Sequence, residues 1–156
     1  MTTPLQESVR KFFVDDDWNF DEKSGIFQAG VNIKNKLGSY RLVVDAEEER
    51  FLLCYGILAT HADEDRRAAV AEYLARANWG LKIGNFEVDM RDGEVRYKAS
   101  MTNEEGQAPS KETIQRLIYT IHGMLDQYGD GLLAVIFGFD TPEEAIRKAE
   151  SDLAPS

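Results

Sequence analysis

The chain has 156 residues and a mass of 17.6 kDa, the size of one ordinary domain, and we expect a single domain over residues 1–156. A chain this long buries roughly 70% of its unfolded surface, so it needs no disulfide or metal to fold. Eighteen basic residues against 28 acidic ones give a net charge of −10, which argues against a nucleic-acid partner and against docking on an anionic membrane. One cysteine excludes an internal disulfide and allows a reducing compartment.

The N-terminal residues show no basic segment followed by an apolar stretch, and the longest unbroken apolar run, Leu132 to Phe137, is too short to span a bilayer. These features read as a soluble, cytoplasmic protein. Thr3-Pro4-Leu5-Gln6 is a helix start: a capping threonine, a first-turn proline and a glutamine that closes the capping box. Leu5, Val9, Phe12 and Phe13 then share one helical face. Asp15, Asp17, Asn19 and Asp21 have the spacing of a calcium loop. Phe20 stands where the turn needs glycine and Ile26 where the bidentate glutamate belongs, so this segment reads as a solvated turn.

Period-two alternation predicts strands over Phe27–Ile33 and Tyr40–Val44. Phe51 to Leu58 is apolar or small throughout and is expected to be a central strand. Together they form a three-stranded meander. Asp63 to Asn78 reads as a helix with Val70, Tyr73, Leu74 and Ala77 buried. Asp92-Gly93 has the composition of a two-residue hairpin loop. Folding about it pairs Met90 with Val95, Val88 with Tyr97 and Phe86 with Ala99. It also pairs Arg91 with Glu94, Asp89 with Arg96 and Glu87 with Lys98. Ser110 caps a helix through Ile114, Leu117, Ile118, Ile121 and Leu125, and Gly129-Asp130-Gly131 is expected to interrupt it. Thr141-Pro142-Glu143-Glu144 opens a final helix. The order α-β-β-β-α-β-β-α-α, with strands in antiparallel runs, predicts an α+β fold.

The chain offers no catalytic constellation. His61 and His122 lack ligand-spaced neighbours, Cys54 sits in the most apolar strand, and no phosphate loop or nucleophile elbow is present. No catalytic residue, cofactor or metal is therefore expected. Leu132 to Phe137, with Phe139 after it, either completes the core or forms an apolar patch for a second chain. As a patch, its contact residues are Leu132, Leu133, Ile136, Phe137 and Phe139. Residues 123–156 hold seven acids and two bases, so half the net charge lies beside this run.

Asn78-Trp79-Gly80-Leu81-Lys82-Ile83-Gly84-Asn85-Phe86-Glu87-Val88-Asp89, followed by Asp92-Gly93-Glu94-Val95-Arg96-Tyr97, resembles the YbjN-like family of bacterial proteins, its cyanobacterial branch in particular. The tail Ala134-Val135-Ile136-Phe137-Gly138, with Thr141-Pro142-Glu143-Glu144-Ala145-Ile146, is similar to that family's C-terminal helices. The resemblance implies a fold similar to type III secretion chaperones, with a curved antiparallel sheet, packed helices and often a homodimer. It implies a helix over Leu132–Phe137. It also implies a role in sensory transduction or stress-response regulation, with no known catalytic residues to carry over. Two functions follow as expectations. The first is a non-enzymatic, chaperone-like interaction module with a protein partner. The second is a small-ligand sensor or enzyme on the concave face of the sheet, for which sixteen aromatics could line a pocket.

Overall fold

A computed structural model of the chain describes residues 1–151. Helix α1 (Pro4–Asp15) opens with the expected capping box: Thr3 Oγ1 accepts from the Gln6 amide at 3.1 Å, and the Gln6 side chain accepts from the Thr3 amide. Its apolar face is fully buried, and Asp17, at φ +57°, turns the chain out of the helix.

Six strands follow the expected order with one addition. They are β1 (Asp21–Lys23), β2 (Ile26–Asn32), β3 (Ser39–Asp45), β4 (Phe51–Ile57), β5 (Asn85–Val88) and β6 (Val95–Thr102). All neighbours are antiparallel, in the order β1-β2-β3-β4-β6-β5. Strand β1 escaped the sequence reading because three exposed charged residues carry no alternation. Short, charged strands suit a sheet edge, where they discourage further pairing. Helix α2 (Arg67–Asn78), entered through a 3₁₀ turn at Glu64–Arg66, links β4 to β5. Helices α3 (Lys111–Ile136) and α4 (Pro142–Glu150) complete the chain, capped by Ser110 and Thr141.

The helices cover one face of the sheet. Leu42 and Val44 of β3, Leu52 and Cys54 of β4, and Tyr97 and Ala99 of β6 all point into that layer. Gly56 marks where α3 crosses β4: a Cβ there would lie 2.5 Å from Ile121 Cγ2 and 2.8 Å from Leu125 Cδ1. A single apolar cluster runs from Leu5 to Ala145. The aromatics mostly fill this core rather than line a pocket. Phe13 stacks on Phe27 at 5.7 Å between centroids, and Phe86 meets Tyr97 edge-on at 4.8 Å.

Two expectations are corrected. Gly129-Asp130-Gly131 does not interrupt α3, which runs through it for 26 residues. These glycines admit close neighbours instead. A Cβ at Gly129 would meet Leu37 Cδ1 at 2.6 Å, and one at Gly131 would meet the Tyr73 hydroxyl at 2.5 Å. The hairpin register is also shifted. Phe86 pairs with Tyr97, Glu87 with Arg96 and Val88 with Val95, and the connection spans Asp89 to Glu94. Gly93 N–H donates to Asp89 O at 2.7 Å, and Ala62 N–H donates to Gly93 O at 2.9 Å. Gly93 has φ +80°, and a Cβ there would lie 2.0 Å from the Ala62 carbonyl oxygen. That docking fixes a longer loop than a two-residue turn. The Glu87–Lys98 pair exists at 3.1 Å. Arg96 pairs with Glu87 rather than Asp89, and Arg91 pairs with Asp89 rather than Glu94.

Candidate partner-binding surfaces

The five residues singled out near the C-terminus divide by helical phase. Leu132 is fully buried and Ile136 is 4% exposed, so both belong to the core and are not available to a partner. Leu133 is half-buried. Phe137 and Phe139 are 58% and 80% exposed, with ring centroids 6.3 Å apart.

This aromatic corner is rigidly held. Gly138, at φ +76°, closes α3 in a Schellman motif: Gly138 N–H donates to Val135 O at 3.2 Å and Phe139 N–H donates to Ala134 O at 2.8 Å. Arg66 donates to Val135 O from Nε at 3.1 Å and from Nη2 at 2.7 Å, placing a cation at the negative end of the helix dipole. Lys148 pairs with Asp140 at 3.0 Å, just ahead of the Thr141 cap. Beside the corner lies a groove of about 510 Å³ bordered by Leu133, Ala134, Phe137 and Phe139. It adjoins a second groove of about 700 Å³ between α3 and α4, where Gly131, Ala134, Ala145 and Ala149 leave room. The combined rim holds Asp126, Asp130 and Asp140 against Lys36 and Lys148.

The second surface is the face of the sheet that no helix covers. Sequence reasoning offered a face of the sheet as a ligand site but singled out no residue on it, although the odd-numbered residues of the apolar β4 carry the signal. Phe51, Leu53 and Tyr55 point to that face, opposite buried Leu52 and Cys54, and Ile57, of the same parity, is itself buried. Phe51 is 44% exposed. Val43 of β3 and Lys98 of β6 flank Tyr55, and the Arg96 guanidinium lies 4.3 Å from the Tyr55 ring centroid. Alternation assigns four cations to this face, Lys23, Arg41, Arg96 and Lys98. Within the strands it assigns three carboxylates, Asp21, Asp45 and Glu87, and Asp89 and Glu94 face each other just beyond the ends of β5 and β6. The face therefore carries little net charge. Burial pushes the Glu87 carboxyl up, but the bonds from Arg96 and Lys98 outweigh it and hold the net shift downward. A shallow groove of about 550 Å³, lined in part by Arg41, Ile57, His61 and Glu94, opens at one end.

The groups tested for chemistry have structural neighbours. Cys54 is buried, and desolvation raises its thiol to about 12, far from the thiolate a nucleophile requires. His122 Nδ1 lies 2.9 Å from the Tyr40 hydroxyl, and His61 Nδ1 lies 3.2 Å from Asp92 O. Among the described residues no three His, Cys, Asp or Glu side chains group as metal ligands, and no helix is long and apolar enough to cross a membrane.

An open α+β sandwich with one helical layer, a bare sheet face and a rigid aromatic corner is thus the class of protein defined here. The model of the YbjN family, described as "Putative bacterial sensory transduction regulator", matches residues 6–134, and the chain belongs to that family. The aromatic corner lies just beyond the matched residues. The chain is similar in fold to "YbjN, a putative transcription regulator from E. coli", with a TM-score of 0.61, 13% identity and 99% of both chains covered. It is also similar to "Structure of the HopA1-SchA Chaperone-Effector Complex", with a TM-score of 0.44 and 20% identity, over 85% of this chain and 90% of that one. No protein of curated function matches.

Proposed function

We propose that this protein is a non-enzymatic, regulatory interaction module that docks a polypeptide at its Phe137–Phe139 corner and the adjoining α3–α4 groove. The observation that carries the reading is the pair of large aromatics held in solvent by a rigid helix terminus. Exposed, preorganised aromatics are the residues from which interface hot spots are built. The seven acids against two bases of residues 123–156 favour a basic, amphipathic partner segment. Membership in a family described as regulators of sensory transduction agrees with a binding role. The reading sets the interaction in the cytoplasm.

The test compares what the wild type and a Phe137→Ser/Phe139→Ser variant capture from native lysate, at low and moderate salt. Both residues are exposed, so the variant keeps its fold. We expect specific partners to be lost by the variant, with binding weakened by about 2 kcal/mol, roughly thirtyfold. Capture of the same proteins by both forms, or of none by the wild type, overturns the reading.

A further inference from the structure

The groove at one end of the bare sheet face holds opposite charges that do not meet. Beside it, Glu87 pairs with Arg96 and Lys98. Three groups that line the groove, Asp21, Arg41 and Glu94, have no ion-pair partner among the described residues. Arg41 makes one bond to a neutral group, from Nη1 to Gln28 Oε1 at 3.3 Å. The sheet sets the spacing. Arg41 is the register partner of Ile57, and Ile57 of Arg96, so β4 lies between Arg41 and Glu94, which stands two residues before Arg96. Strands about 4.8 Å apart, rising about 3.4 Å per residue, put the Cα atoms of Arg41 and Glu94 about 12 Å apart. Small residues occupy the interval: Gly30, Ser39 and Ala59 line the groove together with buried Ile57 and Leu58. A Cβ added at Gly30 would meet nothing within 4 Å. The two charges thus flank a low floor and share a space of about 550 Å³, within the range of small-ligand sites.

We propose that this groove binds a short peptide of two or three residues by its two free termini. The planar Arg41 guanidinium takes the terminal carboxylate, and Glu94 takes the terminal ammonium. His61 also lines the groove. Its Nδ1 donates to the Asp92 carbonyl at 3.2 Å, which leaves Nε2 to accept one ammonium hydrogen. Asp89 faces Glu94 across the strand ends and is itself paired with Arg91, so that end of the groove stays negative. A free amino acid carries both charges on one carbon and reaches only one of the two side chains. Two or three extended residues span about 7–11 Å, and a charge-assisted hydrogen bond of about 2.8 Å at each end completes the interval. Asp21 lies on the other side of Arg41, at the exposed sheet edge, and the span does not need it. The site is on the sheet, away from the Phe137–Phe139 corner, and neither depends on the other.

Amide chemical shifts of the isotopically labelled full chain, titrated with trialanine to about 10 mM, test this. Saturable shifts are expected at Gly30, Arg41 and Ala59. N-acetyl-trialanine amide, which lacks both charges, and free alanine should each bind at least about tenfold more weakly. Arg41→Gln and Glu94→Gln should each weaken trialanine binding about fivefold. Asp21→Asn and Phe137→Ser/Phe139→Ser should leave it unchanged, so failure at the aromatic corner is read separately from failure here. Arg41 is exposed and Glu94 half-buried, and thermal denaturation of each variant checks that it is folded. Absence of saturable shifts in the wild type overturns the proposal. So does equal binding of the blocked peptide or of free alanine. Loss of binding in Asp21→Asn, with none in Glu94→Gln, also overturns it.

Discussion

The Asn78 side chain lies against the outer edge of β5 as a further strand's peptide would. Its Oδ1 accepts from the Phe86 amide at 2.7 Å, and its Nδ2 donates to the Phe86 carbonyl at 3.1 Å. One residue thus ends α2, fixes the turn into β5 and occupies part of an edge that could otherwise pair with another chain. Replacing Asn78 with Ala removes both bonds together. We expect a loss of about 1–2 kcal/mol in urea denaturation and faster hydrogen exchange at the Phe86 amide. An exchange rate at Phe86 equal to wild type would show that water or a neighbouring group replaces the amide. The asparagine stood out in the sequence as the end of a helix. Its contact eight residues further on did not, because the intervening loop has no periodic signal that aims a side chain.

At the scale of elements, α3 carries three glycines that ordinary propensity would exclude from a helix interior, each costing about 1 kcal/mol relative to alanine. They are not equivalent. A Cβ at Gly123 meets nothing within 4 Å, whereas one at Gly131 lies 2.5 Å from the Tyr73 hydroxyl. That hydroxyl is buried and donates to Tyr128 O at 2.7 Å, so it cannot give way cheaply. Gly123→Ala should therefore stabilise the protein by about 0.5–1 kcal/mol, while Gly131→Ala destabilises it by about 1–3 kcal/mol. Calorimetry on the two variants would show opposite signs; a gain in both would mean that Tyr73 repacks freely. The same contrast explains what the sequence could reveal. Periodicity and capping signals located the helices, though not the last two turns of α3, and alternation located β2 and β3, because their buried faces repeat. It could not distinguish a glycine that breaks a helix from one that admits a neighbour. Nor could it fix the hairpin register, since a slip of two residues leaves the apolar and charged faces unchanged. The aromatic corner was half legible. Leu132 and Ile136 sit one helical turn apart and point inward, and only the continuous helix shows that Phe137 and Phe139 do not follow them.

Across the whole molecule, burial raises the Cys54 thiol from 9.0 to about 12 and the Tyr97 phenol from 10.0 to about 12. It also drives the phenols of Tyr40, Tyr73 and Tyr128 well upward, the last two aided by nearby negative charge. The folded state holds these protons after the unfolded chain has released them. The stability they contribute is therefore complete below about pH 9 and declines as pH rises toward 12. Thermal denaturation should show a steady fall in Tm from pH 9 to pH 11. A flat profile would mean that these groups ionise as readily folded as unfolded.

The separation of a nearly neutral sheet face from the acidic remainder has an orienting effect as well. A body with most of its excess charge off one face has a permanent electric dipole. Near a positively charged surface a single chain turns its acidic regions inward and leaves the β4 strip facing outward. Immobilisation on a cationic support would thus hold the molecule in one preferred orientation, and the preference would weaken as salt shortens the reach of the field.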